Sequence, residues 1–486
     1  MIKTEERYRE LLVYGSGMIF IFANALLIYR EVYYLLLLPF MLVVFYLAFF
    51  SLDKLFMTVV FLTPLSLELS RLARGSLPVD ISLPTEPLII VIMLMIFFRL
   101  LYYNRIDLKV LYHPVSLAII FYLFWLFITS LTSSMPVVSF KFLLVRLWFI
   151  TVFYFLAIKI FSRRKNMWTF LWCYILALLV VIVYTLYNHA GYGLIAQRAA
   201  HWVVRPFYND HTDYGAALAL FIPVLAVLSS RSISSPRVSL LARILLVVFL
   251  VALVFSYSRA AWLSVFVAIG VWVLIRLRIG FATLLSFGLV GALLIFMLWG
   301  DILRMMEKNT QDSSADFREH VTSMTNITSD ASNLERINRW KAAIAMFREK
   351  PLFGWGPGTY MFQYAPFQRS YDRTIISTNF ADGGDAHSEY LGPLSETGLV
   401  GMLSFVVVAV LSLITGFRLL QKLKKRKDRL LVLGILLGLI TYLVHGTLNN
   451  FLHSDKAAVP FWGFIAILVA MDLYRKKSDI QEVAGR

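Results

Sequence analysis

The segment DAHSEYLGPLSETGLVG, Asp385 to Gly401, crowds a histidine, acidic residues and glycines where a polar stretch of chain meets an apolar one. A neutral imidazole at His387 can take a proton from a sugar hydroxyl, because its ordinary pKa of about 6.5 suits that task. Glu389 or Asp385 could orient the ring. The same spacing also describes an interfacial histidine near a helix start with Asp385 as the cap, and both readings stand on spacing alone.

A second group is cationic. Arg259 lies in FSYSRAAW and Arg336 in LERINRW, with Arg339 three residues further on; Arg205 lies in VVRPFYNDHTDYG. Lys141 and Arg146 sit within an apolar run. An arginine at membrane depth costs about 2.5–3.5 kcal/mol on insertion scales, so it faces a cavity or a partner. The planar fork of arginine matches phosphate oxygens, and a lipid diphosphate at the membrane surface is the natural common ligand. Taken singly, each arginine reads as a headgroup contact or a snorkelling side chain. The functional reading rests on Arg259 and Arg336 together.

A third group is NDHTD, Asn209 to Asp213. Its acids and histidine could bind a divalent metal, as could Asp382, Asp385, His387 and Glu389, but neither set has a metal-site spacing such as HExxH. Helix-entry capping by Asp210 or Thr212 is the plainer account. No metal and no cofactor are expected, and no P-loop, Rossmann fingerprint or nucleophile elbow stands in a supporting context.

The elements that must position these residues are membrane helices. Of 486 residues, 59% are hydrophobic and only 15% charged, and the mean hydropathy is +0.73. This predicts an all-α polytopic membrane protein, a bundle of about 12–14 transmembrane helices with one large extracytoplasmic loop containing amphipathic helices. Candidate spans are Leu11 to Tyr29, Val32 to Ser51, Leu55 to Ser70, Pro87 to Tyr102, Pro114 to Ser133, Ser139 to Phe161 and Trp168 to Asn188. They continue with His211 to Ser229, Leu240 to Tyr257, Ala260 to Ile279, Phe281 to Trp299, Thr397 to Leu419, Leu430 to Leu448 and Ala457 to Tyr474. Four segments follow: N-terminal helices 1–188, helices with the arginine motifs 189–299, the large loop 300–386, and C-terminal helices with a tail 387–486.

The net charge of +17 falls mainly in short loops such as SRRKN, SRSISSPR, RLR and KLKKRKDR and in the tail RKK. These alternate with polar segments poor in such runs, so the positive-inside rule places both termini in the cytoplasm. The charge is read as orientation plus contact with membrane lipids, not nucleic acid. Cys173 stands alone and forms no internal disulfide. Within the large loop, SNLERINRWKAAIAMFREKP predicts an amphipathic helix with Leu334, Ile337, Trp340, Ile344 and Phe347 on one stripe. The glycines of PLFGWGPGTY predict tight turns against another surface.

FSYSRAAW, then LERINRWKAAIAMFREKPLFGWGPGTY, then HSEYLGPLSETGLVG, in that order, resemble the O-antigen ligase-like family. That family includes O-antigen ligases, related polysaccharide polymerases and some protein O-oligosaccharyltransferases. The match runs from about Arg205 to Gly401; the first seven spans agree only as generic membrane helices. The resemblance implies a C-type glycosyltransferase fold in the bacterial cytoplasmic (inner) membrane. It implies an undecaprenyl-diphosphate-linked glycan donor, an acceptor that is a glycan, lipid A core or a protein, and metal-independent inverting transfer. His387 matches the family's catalytic histidine, Arg259 the arginine of its S-R-x-x-W motif, and Arg336 the arginine ahead of the loop tryptophan, here Trp340. Arg205 matches an arginine before the preceding span; Glu389, Asp385, Arg339 and Arg146 are supporting candidates. The chain departs from the family in having more spans than usual and in the acidic FADGGDA before His387. A transporter or flippase of lipid-linked glycan is the competing class and would show polar breaks at the membrane midplane and symmetric halves. A protein O-oligosaccharyltransferase, including a metal-dependent one, is the alternative within enzymes.

Overall fold

The structure, a computed structural model, describes residues 2–69, 81–103, 107–231, 233, 235–279, 331–369 and 384–484, and single positions 283, 286, 290, 291, 294, 297 and 298. It is all-α apart from one two-residue antiparallel pair, β1 (Leu67–Glu68) with β2 (Ser82–Leu83), among the described residues. The chain separates into two compact units, Met1–Thr58 and Val59–Arg486. The first contains α1 (Ile2–Tyr29) and α2 (Leu38–Phe50), with the apolar stretches Tyr14–Tyr29 and Tyr34–Phe50 among the described residues.

In the second unit ten helices are long and apolar enough to cross a membrane among the described residues. With α3 (Leu52–Leu62) running across the boundary, they are α4 (Thr85–Tyr103), α5 (Pro114–Leu131), α6 (Pro136–Ile160) and α7 (Arg164–Tyr192). After a short α8 (Gln197–Val203) come α9 (His211–Leu228), α10 (Pro236–Phe255) and α11 (Arg259–Arg276). A loop helix, α12 (Ala331–Glu349), and the single turn α13 (Tyr360–Gln363) precede the last three, α14 (Leu391–Lys422), α15 (Arg426–His445) and α16 (Asp455–Ala484). Each corresponds to a span expected from hydropathy. The span expected from Phe281 to Trp299 lies mostly outside the described residues.

The span expected from Leu55 to Ser70 is not a full helix. The chain leaves α3 at Pro64 and turns into the β1–β2 hairpin. Ser66 is held there by polar bonds that a lipid-facing helix would lack: its hydroxyl donates to Asp455 at 2.8 Å, and Lys456 Nζ donates to its carbonyl at 2.9 Å. Thr85 donates to the same Asp455 carboxylate at 2.6 Å.

Lipid-facing and protein-facing stripes separate cleanly on α10. Leu240, Ile244, Val247 and Val251 are exposed, while Ala242, Leu245, Phe249 and Ala252 are buried. Both stripes are apolar, as expected where the solvent is hydrocarbon. By contrast α9 is enclosed on nearly every side and packs against α10, α11 and α15.

One kink shapes the region that follows. Gly398, at φ +68°, breaks the helical path of α14, a conformation available to glycine without steric cost. A break in a membrane helix leaves main-chain groups that water cannot satisfy. Here four of them are taken up by the turn after α12 and by one indole. Trp355 N donates to Ser395 O at 3.1 Å, Gly356 N to Glu396 O at 2.7 Å, and Leu399 N to Pro351 O at 3.0 Å. Trp125 Nε1 donates to Thr397 O at 2.9 Å. The PLFGWGPGTY turn expected to lie on another surface is thus the plug of this kink.

Candidate functional site

His387 lies in the short segment that enters α14, with a left-handed backbone, φ +48°. Such a conformation is uncommon for a side-chain-bearing residue and persists only where the surroundings impose it. The neighbours are tied down on both sides. Ser388 Oγ accepts from Tyr390 N and Leu391 N, each at 3.3 Å, and so caps the helix; this is the role expected of Asp385. Glu389 N donates to Gly446 O at 2.8 Å, and Tyr390 Oη donates to Leu443 O at 2.9 Å. Ala386 is buried in a small core with Ala342, Ala343, Met346, Tyr360 and Tyr364. Burial, then the positive charges of Arg339 and Arg336, lower the His387 pKa from 6.5 to about 4, against the opposing pull of Asp385 and Asp210. The imidazole is therefore neutral at physiological pH, the form a proton acceptor needs.

The loop helix α12 brings Arg336 and Arg339 to this segment. Its packed face is not the apolar stripe expected from periodicity. Glu335, Asn338, Arg339, Ala342, Ala343 and Met346 are buried, together with Ile337, while Trp340, Ile344 and Phe347 stay half-buried. The packed face combines polar ties with an apolar cluster formed with Tyr360, Tyr364 and Ala386. Arg339 Nε pairs with Glu335 Oε1 at 2.8 Å, and Nη1 donates to the carbonyl of Asp385 at 3.1 Å. The Arg339 carbonyl accepts from Tyr360 Oη at 2.7 Å, and Asn338 donates to Gln368 at 2.7 Å. Arg339 is consequently a tie between α12 and the His387 segment. A Cβ on Gly384 would sit 2.5 Å from its guanidinium, so glycine there leaves the room the tie occupies.

Arg259 is the first residue of α11, immediately after the corner with α10. The tryptophan of S-R-x-x-W has a visible task in that corner. Trp262 Nε1 donates to the carbonyl of Leu253 at 2.7 Å, supplying a partner near the end of α10. Tyr257, at φ +51°, donates its hydroxyl to Leu194 O at 3.2 Å. The corner packs tightly on the start of α9, where a Cβ on Gly215 would meet Ser258 Cβ at 2.7 Å.

At the start of α9, Asp210 is the N-cap, as expected: its Oδ1 accepts from Thr212 N and Thr212 Oγ1, both at 2.6 Å, and from Asp213 N at 3.1 Å. His211 packs its ring 4.1 Å from that of His201. Arg336 and Arg259 both lie within electrostatic reach of His211, and Arg336 also of His387 and of His445 at the end of α15. The starts of α9 and α11, the helix α12 and the His387 segment thus converge at one end of the bundle. His201 and His445 belong to this group and were not singled out from the sequence, and His211 was weighed there only as a possible metal ligand in NDHTD; isolated histidines in unrelated segments carry no signal until the chain is folded.

The remaining candidates fall elsewhere. Arg205 is exposed, and its Nε donates to Asn209 O at 3.5 Å. Arg146 is buried in α6 and donates from Nη1 to Leu452 O at 3.0 Å, whereas Lys141 is exposed. Glu389 Oε1 accepts from Tyr442 Oη and from the main-chain N–H groups of Phe451 and Leu452. Asp382 lies outside the described residues. Among the described residues no group of three or more His, Cys, Asp or Glu is placed to hold a metal ion.

Fold and site define a multi-pass, all-α membrane protein that gathers arginines and histidines at one end of its bundle. Residues 244–406 match the family model described as O-antigen ligase. The matched segment contains Arg259, Arg336 and His387, but not Arg205. No curated protein matches the chain.

Proposed function

We propose that the protein transfers a glycan from an undecaprenyl-diphosphate-linked donor to an acceptor hydroxyl at the outer face of the cytoplasmic membrane. The observation that carries this reading is the convergence of Arg259 and Arg336 with a neutral His387 inside the O-antigen ligase segment. His387 takes the proton of the acceptor hydroxyl. The freed oxygen bonds to the anomeric carbon from the face opposite the diphosphate, inverting the centre. The bond from that carbon to the diphosphate oxygen breaks, and the electron pair leaves with the lipid diphosphate. Arg259 and Arg336 stabilise the charge that grows on the leaving group, which favours the transition state over the bound donor. Arg205, exposed ahead of α9, assists at the rim. The donor is already activated, so the step needs no nucleotide.

Purified protein is given lipid-linked glycan with a glycan, lipid A core or protein acceptor in turn, and products are sized. Growth of the glycan identifies a polymerase, transfer to lipid A core a ligase, and transfer to protein an oligosaccharyltransferase. His387→Ala is expected to insert normally and to lose about 10²–10⁴-fold in turnover, the usual contribution of a general base. Full activity in that variant removes His387 as the base.

A further inference from the structure

Glu389, two residues from the proposed base, and Arg146 are two buried charges that the transfer step does not use. Their exposures are 6% and 7%. Burying charge is expensive, and neutral groups often hold a fold as well. What the pair does is specific. Glu389 Oε1 gathers Tyr442 Oη at 2.7 Å, Phe451 N at 2.8 Å and Leu452 N at 2.9 Å. The carbonyl of the same Leu452 takes Arg146 Nη1 at 3.0 Å. Opposite charges thus hold the two main-chain groups of one residue, fixing the connection between α15 and α16. The main-chain N–H of Glu389 donates back to Gly446, at the start of that connection. Both side chains line a small cavity of about 20 Å³ with Tyr122 and Glu396.

Glu389 is two residues from His387, whose left-handed backbone needs an external constraint. We propose that Glu389 and Arg146 are positioning residues: anchored on Leu452, they hold the entrance of α14 so that His387 keeps its orientation. The proposal rests on His387 being the base. Neither side chain touches substrate in this account.

The test is a double-mutant cycle with turnover and donor KM measured at matched membrane levels. Glu389→Ala is expected to lower kcat roughly 10²-fold, the scale of a misplacement of about 1 Å, with donor KM held within about twofold. Glu389→Gln keeps a carbonyl oxygen for the three donors and is expected to recover most of the loss. Arg146→Ala is expected to behave like Glu389→Ala, and Arg146→Lys, which retains one donor for Leu452 O, to recover it. In the His387→Ala background, Glu389→Ala and Arg146→Ala are each expected to leave the residual rate within about twofold, because a group acting through the imidazole has nothing left to act on. Two results overturn the proposal: unchanged kcat in both alanine variants, or losses that multiply with that of His387→Ala. Full activity of His387→Ala alone, needing no Glu389 variant, overturns instead the reading on which the proposal stands.

Discussion

At the scale of single residues, the decisive feature of His387 is that it stays neutral. Burial and the charges of Arg339 and Arg336 hold its pKa near 4 rather than 6.5. The pH profile of kcat/KM, which reports the free enzyme, should therefore stay flat from pH 7 through 6.5, with its acid limb well below that value. An inflection at 6.5 would show a solvated imidazole. Stability has the same sign. The unfolded chain takes up a proton at His387 near 6.5 and the folded chain only near 4, so the contribution is full above 6.5 and is lost as pH falls towards 4. Arg259→Lys preserves charge but removes the planar fork, and a loss of turnover on the order of 10²-fold is expected, as for removal of one transition-state donor. Unchanged kinetics would count against diphosphate binding there. The sequence made His387, Arg259 and Arg336 legible through their motifs. It did not reveal Arg339 or Glu389 as ties, because their partners Asp385 and Tyr442 lie 46 and 53 residues away. Spacing reports neighbours, and these two residues are defined by distant ones.

At the scale of elements, hydropathy located ten helices well because hydrocarbon imposes length and composition together. It misjudged the third span, where Pro64 and the polar anchoring of Ser66 end α3 early. Amphipathic periodicity found α12 but not its packed face, since that face includes Glu335, Asn338 and Arg339, residues that a hydrophobic stripe excludes, beside Ala342, Ala343 and Met346. The kink at Gly398 offers a direct measurement. An alanine Cβ there would lie 2.1 Å from the Leu352 carbonyl in a left-handed conformation. Gly398→Ala should cost at least about 1–2 kcal/mol from the backbone alone and lower the Tm of the detergent-solubilised protein. Gly270→Ala, whose Cβ meets nothing within 4 Å, is the control. Equal Tm values for the two would mean that the turn does not plug the kink.

At the scale of the whole molecule, the orientation proposed from loop charge can be read with thiols. Cys173 is the one native cysteine. In a Cys173→Ala background, Ser162→Cys should resist a membrane-impermeant thiol reagent in intact cells, while Thr447→Cys should react; both native residues are exposed. The reverse pattern would place the histidine and arginine cluster on the cytoplasmic side and end the proposal of an externally presented lipid diphosphate. Transfer should also continue in excess chelator; loss of activity restored by a divalent cation would return the carboxylates near His387 as ligands. The tie made by Arg339 carries a consequence for timing. Its side chain grips the peptide of Asp385 from the same helix that presents Arg336. On the proposed reading, a donor that drew Arg336 onto its phosphates would also load the Arg339 tie on the Asp385 peptide, so binding the leaving group and setting the imidazole would be linked through one helix.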